Sequence, residues 1–93
     1  MPVYLVVHAR VTDPVRFKAY AAAALPLIER FGGCRIAISR ATILEGEAPW
    51  LGAAIYEWPS REAALAFWHS PEYAEIRGLR EGAAELQATL IEG

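Results

Sequence analysis

Three helix-start signals, together with the apolar segments around them, set the order of strands and helices in this sequence. Asp13-Pro14 suits a helix N-terminus, because the Asp side chain caps free N–H groups and Pro fits the first helical turn. Ser60 and the Ser70-Pro71 pair give the same signal further along the chain. Apolar segments typical of strands surround these signals. The sequence therefore predicts β-α-β-β-α-β, the ferredoxin-like α+β fold with a four-stranded antiparallel sheet.

The bounds of the predicted elements follow from local patterns. Strands are predicted at residues 3–11, 35–44, 50–58 and 86–92, with a hairpin turn at 45–49. The first helix starts at Pro14, carries an apolar stripe at helical spacing and ends at Gly32-Gly33. Pro26 lies within this helix and predicts a modest kink, because proline lacks an N–H and crowds the preceding turn.

The chain is short and mildly acidic, which limits its function classes. Its 93 residues predict one domain, 1–93, and 55% hydrophobic with 22% charged residues exclude a disordered chain. No apolar run is long enough to cross a membrane, and a net charge of −2 gives no footprint for nucleic acid. The chain has one cysteine, so it cannot form an internal disulfide or a multi-cysteine metal site, and it has only two histidines. We expect a soluble cytoplasmic protein without a metal or cofactor.

The alternation of side chains predicts one sheet face under the helices and one open face. We expect the first strand to turn its aliphatic row, from Val3 to Val11, toward the helices. The predicted open face carries Tyr4, Val6, His8, Arg10, Trp50, Gly52, Ala54, Tyr56 and Trp58. Such a face is too apolar for water and too polar for a dry core. The sequence therefore predicts a two-fold homodimer that packs these faces around a partly polar cavity.

Several motifs make the chain similar to one known family. They are Tyr4, Thr12-Asp13-Pro14, Tyr20, Phe31-Gly32-Gly33, Leu44-Glu45-Gly46, WPSREAA at 58–64, Trp68, SPEYAEIR at 70–77 and Ile91-Glu92-Gly93. On these residues the chain resembles the domain-of-unknown-function 1330 family of small bacterial proteins, over nearly its whole length. The resemblance implies a dimeric α/β barrel and no settled activity.

One segment departs from the family pattern. Between Gly33 and Gly46 the chain is one residue shorter, and an apolar run at 36–38 replaces a basic residue, for which Arg35 and Arg40 are the candidate substitutes.

Wider relatives include haem-degrading and quinol monooxygenases, so the resemblance implies cofactor-independent oxygenation or isomerisation if the protein is an enzyme. By this resemblance, the haem-degrading type carries an Asn, a Trp and a His as a set. This chain cannot complete that set because it has no Asn.

His8 and Arg10 are candidate chemical groups on the first strand. They lie two residues apart and therefore share one strand face. One interpretation makes His8 an acid or base beside an anion-binding Arg10. The other makes them part of a structural salt bridge with Glu57 or Glu92, and we favour it because buried polar groups are usually partnered.

The second and third helices supply further candidates. His69 follows Trp68 near the predicted cavity mouth, and is either a catalytic base or an exposed residue that the helix dipole favours. Tyr73 and Arg77 lie four residues apart on one helical face. Arg77 either holds a carboxylate ligand or has a structural role, in which it pairs with Glu81 or Glu72 on the helix surface or fixes the sheet edge, and we favour the structural role.

The favoured function is binding of a small, partly aromatic or anionic molecule in a cavity of the homodimer. The predicted ligand-binding residues are Tyr4, Arg10, Arg40, Tyr56, Trp58, Trp68, Tyr73 and Arg77. If the protein is an enzyme, His8 and His69 are its predicted catalytic residues. The alternative is a non-catalytic binding or structural dimer whose cavity is packed interface, and the residues leave this choice open.

Overall fold

An antiparallel sheet with helices on one face forms the fold in the computed structural model, which describes residues 2–47 and 50–93. The strands are β1 (Val3–Val11), β2 (Cys34–Arg40), β3 (Gly52–Trp58) and β4 (Ala84–Glu92). The helices are α1 (Pro14–Arg30), α2 (Arg61–Trp68) and α3 (Pro71–Arg77), followed by a 3-10 turn at Gly78–Arg80. The strand order is β2-β3-β1-β4, which confirms the predicted ferredoxin-like α+β fold.

Side-chain caps fix where the helices begin. Asp13 accepts a hydrogen bond from the backbone N–H three residues on at 3.2 Å, and Ser60 does the same at 3.1 Å. Ser70 Oγ accepts from the Tyr73 N–H at 3.1 Å and donates to the Phe67 carbonyl at 2.8 Å. One buried hydroxyl thus ends α2 and starts α3, and all three predicted helix starts are confirmed.

Four strand bounds differ from the prediction, and the smallest difference is that β2 begins at Cys34 and not at residue 35. β2 ends at Arg40 and β3 begins at Gly52, because the ladder between them closes at this pair. β4 begins at Ala84, since its pairing with β1 continues as far as Val11. Part of the predicted turn, residues 48 and 49, lies outside the described residues.

The first helix continues through its internal proline. α1 includes Pro26, which is exposed, so the position that lacks an N–H faces solvent. The modest kink stays a prediction. At the end of α1, Gly32 has a φ of 98°, and a Cβ on Gly33 would lie 2.6 Å from Ile28 and 2.9 Å from the Trp58 ring. The glycine pair therefore ends the helix and lets the chain pass closely over Trp58.

The pairing of β1 with β3 decides which side chains face the helices. Val3 lies opposite Trp58 and Leu5 opposite Tyr56, and all four pack in or against the core beneath the helices. The predicted helix face of β1 is confirmed. The predicted open-face placement of Tyr56 and Trp58 is wrong: Trp58 is 2% exposed, and Glu57 between them points to the open face instead. β3 is apolar on both sides, so its alternation did not distinguish the faces.

The open face of the sheet carries a mixed set of side chains. The register places on it Tyr4, Val6, His8, Arg10, Ala53, Ile55, Glu57, Glu85, Gln87, Thr89 and Ile91. Tyr4, Val6 and His8 at its centre are half-buried, whereas Ile91 at the edge is 51% exposed. Apolar side chains thus occupy the middle of a face that the described helices leave uncovered.

Candidate binding cavity

A cavity of about 170 Å³ lies between the helices and the covered face of the sheet. Its walls are mostly apolar and include Leu5, Val7, Phe17, Ala21, Ala24, Ile28, Ala54, Phe67 and Ala88. An apolar cavity of about 150 Å³ is large enough to hold a benzene ring. The space between helices and sheet is therefore suited to one small aromatic group.

Two buried tyrosines place a hydroxyl pair in the wall of this cavity. Tyr20 comes from α1 and Tyr73 from α3, and their hydroxyl oxygens are 2.6 Å apart, so either can donate to the other. The Ser70 cap fixes the first turn of α3 and with it the position of Tyr73. Burial, together with the neighbouring Tyr73 hydroxyl, holds the pKa of Tyr20 well above its ordinary value of 10.0. Tyr20 therefore stays a neutral donor and acceptor at physiological pH.

Tyr56 and Arg35 form a second polar part of the wall. They lie opposite each other on β3 and β2, and both line the cavity. Burial raises the pKa of Tyr56, while the nearby Arg35 guanidinium opposes this shift. Among the described residues, Arg35 is the only charged side chain in the cavity wall.

Two further arginines lie against the rings of the tyrosine pair but do not line the cavity. The Arg77 guanidinium carbon lies 4.9 Å from the Tyr73 ring centre and 5.0 Å from that of Trp68, and Arg77 Nη2 donates to the Trp68 carbonyl at 3.1 Å. Arg80 lies 5.4 Å from the ring centre of Tyr20. Arg77 forms no ion pair within the described residues, so the predicted surface pair with an acidic neighbour is wrong and stacking on aromatic rings takes its place.

The predicted site residues separate into several places. Tyr56, Trp68 and Tyr73 line the cavity. Trp58 is buried in the core away from it, and Arg77 stacks behind its wall. The remaining predicted binding and catalytic residues lie elsewhere: Tyr4, His8 and Arg10 on the open face, Arg40 exposed at the end of β2, and His69 exposed after α2.

Arg10 has a different partner from those predicted. It forms an exposed ion pair with Glu85, its direct neighbour across β1 and β4. Glu92, one of the two predicted acids, instead accepts from Arg61 at 2.9 Å. The cross-strand register explains the difference, because it brings Glu85 opposite Arg10 on the same face.

A second cavity of about 300 Å³ lies between α2 and β4. His69 is among its lining residues, and the rest of the lining is mostly aliphatic. Leu5, Trp68 and Ala88 line both cavities, so the two cavities are neighbours. His69 thus lines the second cavity and not the one that the tyrosine pair lines.

Two residues that line the cavity between the helices and the sheet, Tyr20 and Arg35, were not among the predicted site residues. The sequence assigns Tyr20 to a family motif and not to the site, although a phenol on the apolar stripe of α1 needs a hydrogen-bond partner when buried. Arg35 was named only as a substitute for a missing basic residue. Their place in one cavity depends on the packing of α1, α3 and β2, which local patterns do not specify.

Fold and cavity together define a small ferredoxin-like protein with a pocket between its helices and its sheet. The chain belongs to the family described as Domain of unknown function (DUF1330), whose model matches residues 2–93. This confirms the family resemblance. No curated protein sequence matches the chain.

Solved structures share the fold at low sequence identity. A protein of unknown function from Rhodopseudomonas palustris is 21% identical with a TM-score of 0.82, covering 99% of this chain and 82% of its own. SnoaB, a cofactor-independent oxygenase from Streptomyces nogalater, is 16% identical with a TM-score of 0.65, covering 99% and 92%. A dimeric protein of unknown function with a ferredoxin-like fold from Bacteroides fragilis is 16% identical with a TM-score of 0.66, covering 99% and 96%.

Two structural features bear on the other function classes. None of the described helices is long and apolar enough to cross a membrane. Within residues 2–47 and 50–93, no three His, Cys, Asp or Glu side chains come together as a metal site requires.

Proposed function

We propose that the protein is a homodimer in which each chain binds a small, largely aromatic molecule in the cavity between its helices and its sheet. The observation that carries this proposal is the cavity of about 170 Å³, with apolar walls and the buried Tyr20–Tyr73 hydroxyl pair. Apolar walls with a few placed polar groups are typical of small-molecule sites. Of the predicted ligand-binding residues, Tyr56, Trp68 and Tyr73 contact the ligand in this proposal.

The chemistry of the wall favours binding over proton abstraction. Tyrosine hydroxyls and one guanidinium line the cavity, and its described lining includes no carboxylate or imidazole. The raised pKa values of Tyr20 and Tyr56 make these phenols poor bases at neutral pH. The wall is therefore suited to hold an oxygen-bearing aromatic molecule by donating hydrogen bonds to it.

The open face of the sheet is the proposed dimer interface. Val6 and Ile55 lie side by side at its centre, and His8 and Tyr4 lie next to them along β1. The Bacteroides fragilis neighbour is described as dimeric, which supports the same assembly here. Two-fold packing of these faces would bury the apolar side chains and leave the cavity of each chain on the outer side of the sheet, not between the two faces as expected from the sequence. We keep the expected cytoplasmic location in this proposal.

A cofactor-independent oxygenase is the second candidate function, since the fold is shared with SnoaB. Such an enzyme, or an isomerase, would use His8 in the dimer interface or His69 in the second cavity as its base. Oxygen uptake with hydroquinone-type substrates, measured without added cofactor, tests this candidate. It is supported if uptake is lost in His8→Ala or His69→Ala, and contradicted if both variants keep the rate of the unchanged protein.

Titration calorimetry with benzamide, a neutral aromatic probe, tests the binding proposal. Ala54→Leu places extra volume in the cavity wall, and we expect it to abolish benzamide binding while the circular dichroism spectrum stays native. Ala22→Leu on the exposed side of α1 is the matched control and should bind like the unchanged protein. Absence of binding to the unchanged protein, or equal binding by a folded Ala54→Leu, would contradict the proposal.

A further inference from the structure

We propose that the cavity is selective for a small aromatic carboxylate, with the ring inside and the carboxylate held by Arg35 at the cavity mouth. This inference rests on the proposed binding function and adds the charge of the ligand and the residue that reads it.

The distribution of charge around the cavity points to an anion. Arg35 is in its wall, and Arg77 and Arg80 lie against the rings of Tyr73 and Tyr20. The ion pairs among the described residues involve other arginines, at the open face and at the start of α2, so none of these three is neutralised by a carboxylate. A cavity bounded by uncompensated positive charge attracts an anionic ligand and disfavours a cationic one.

The position of Arg35 suits recognition of a carboxylate. It lies on the edge strand β2 and is exposed, so its charge is hydrated when the cavity is empty and needs no buried partner. A guanidinium presents parallel N–H donors that match the two oxygens of a carboxylate. Tyr56, directly opposite on β3, places a hydroxyl beside the same group. A ligand carboxylate at the mouth would thus meet two kinds of donor.

The remaining wall suits an aromatic ring. Apart from Arg35 and Tyr56, the cavity is lined mostly by apolar side chains and by rings that include those of Tyr20, Phe67 and Tyr73. The ring centres of Phe67 and Tyr73 are 4.5 Å apart, which shows how closely aromatic groups already pack in this wall. The cavity volume of about 170 Å³ limits the ligand to about one substituted ring.

Binding of benzoate and of benzamide to three proteins tests this inference. The two probes have nearly the same shape and differ in charge. In the unchanged protein we expect benzoate to bind about tenfold or more tightly than benzamide, because charge-assisted hydrogen bonds contribute at this level. Arg35→Gln should weaken benzoate about tenfold or more and leave benzamide unchanged. Arg40→Gln, on the same strand but outside the cavity wall, should leave both affinities unchanged.

The outcomes separate failure of the inference from failure of the proposed function. If benzamide binds as well as benzoate, carboxylate selectivity is wrong. If Arg35→Gln binds benzoate normally, the assignment of the carboxylate to Arg35 is wrong. In both cases the binding cavity stands. If Arg40→Gln weakens benzoate binding and Arg35→Gln does not, Arg40 binds the carboxylate and the assignment to Arg35 is overturned. If neither probe binds the unchanged protein, the proposed function itself fails, and the inference fails with it.

Discussion

The helix-covered face and the open face of the sheet hold arginine in different settings. On the open face Arg10 is paired with Glu85, and the side chains of both residues are about half exposed. On the covered face Arg35 lies beside Tyr56 in a cavity wall with no acidic residue among its described members. A face whose arginine is paired with a carboxylate and that also carries apolar groups is suited to contact another protein surface. An uncompensated arginine at a cavity mouth is suited to bind a small anion.

The largest expected effect breaks the open face alone. Ile55→Glu places a carboxylate at the centre of this face, where the proposed dimer would bury it unpaired. We expect dimerisation to weaken by about 3 kcal/mol or more, roughly a hundredfold, so that light scattering at micromolar concentration gives the mass of one chain. Ala22→Glu on the exposed side of α1 is the control and should leave the assembly unchanged. A dimer of normal affinity in Ile55→Glu would exclude this face as the interface.

The covered face could be predicted on β1 but not on β3. The β1 row from Val3 to Val11 is aliphatic on one side and partly polar on the other, so its pattern identifies the helix face. β3 alternates Ala and Ile with Ala and Tyr, and neither row is clearly polar. The signal that distinguishes them is Glu57, since a carboxylate between Tyr56 and Trp58 must avoid the core.

The cavity was less predictable than the fold. Helix starts depend on short motifs such as Asp13-Pro14, and these were read correctly. The Tyr20–Tyr73 hydroxyl pair joins residues 53 positions apart, so it depends on how α1 packs against α3. The place of Arg35 also depends on an irregularity in the β2 ladder between Arg35 and Ala37, which shifts the pairing and cannot be read from alternation.

A smaller effect is expected from the hydroxyl pair of the covered face. Tyr73→Phe leaves the buried Tyr20 hydroxyl without this partner, and should cost about 1–3 kcal/mol of unfolding free energy. Replacing both tyrosines by phenylalanine should recover part of this loss, because no unpaired hydroxyl then remains. Tyr4→Phe on the open face should change stability by less than about 0.5 kcal/mol. Urea unfolding at neutral pH measures these proteins and Tyr20→Phe, and additive effects of the two single substitutions would show that the hydroxyls of Tyr20 and Tyr73 do not interact.

The same tyrosine predicts how stability changes in alkali. The pKa of Tyr20 is raised in the folded chain, so the folded state keeps a proton that the unfolded state loses above pH 10.0. This stability is complete below pH 10.0, and above it we expect a loss of up to about 1.4 kcal/mol per pH unit. Urea unfolding at several alkaline pH values should show a shallower decline for Tyr20→Phe. Identical slopes for the two proteins would mean that Tyr20 ionises normally.

The smallest effect is expected from the ion pair of the open face. Arg10→Gln should change the unfolding free energy by no more than about 1 kcal/mol, because exposed ion pairs contribute little. Thermal unfolding of Arg10→Gln and Glu85→Gln checks this value, and benzoate affinity should be unchanged in both. A loss above about 2 kcal/mol in either variant would show that the pair is desolvated and that the open face is covered more completely than proposed.

The most direct test of the ligand's place uses neighbouring residues that point to opposite faces. Leu5 faces the helices and the cavity, whereas Val6 faces away from them. Nuclear Overhauser effects between the ring protons of bound benzoate and the methyl groups of the protein report which face holds the ring. We predict effects to Leu5, Val7 and Ala24, and none to Val6 or Ile55. Effects to Val6 and Ile55 without any to Leu5 would contradict the account, because the ligand would then lie on the open face.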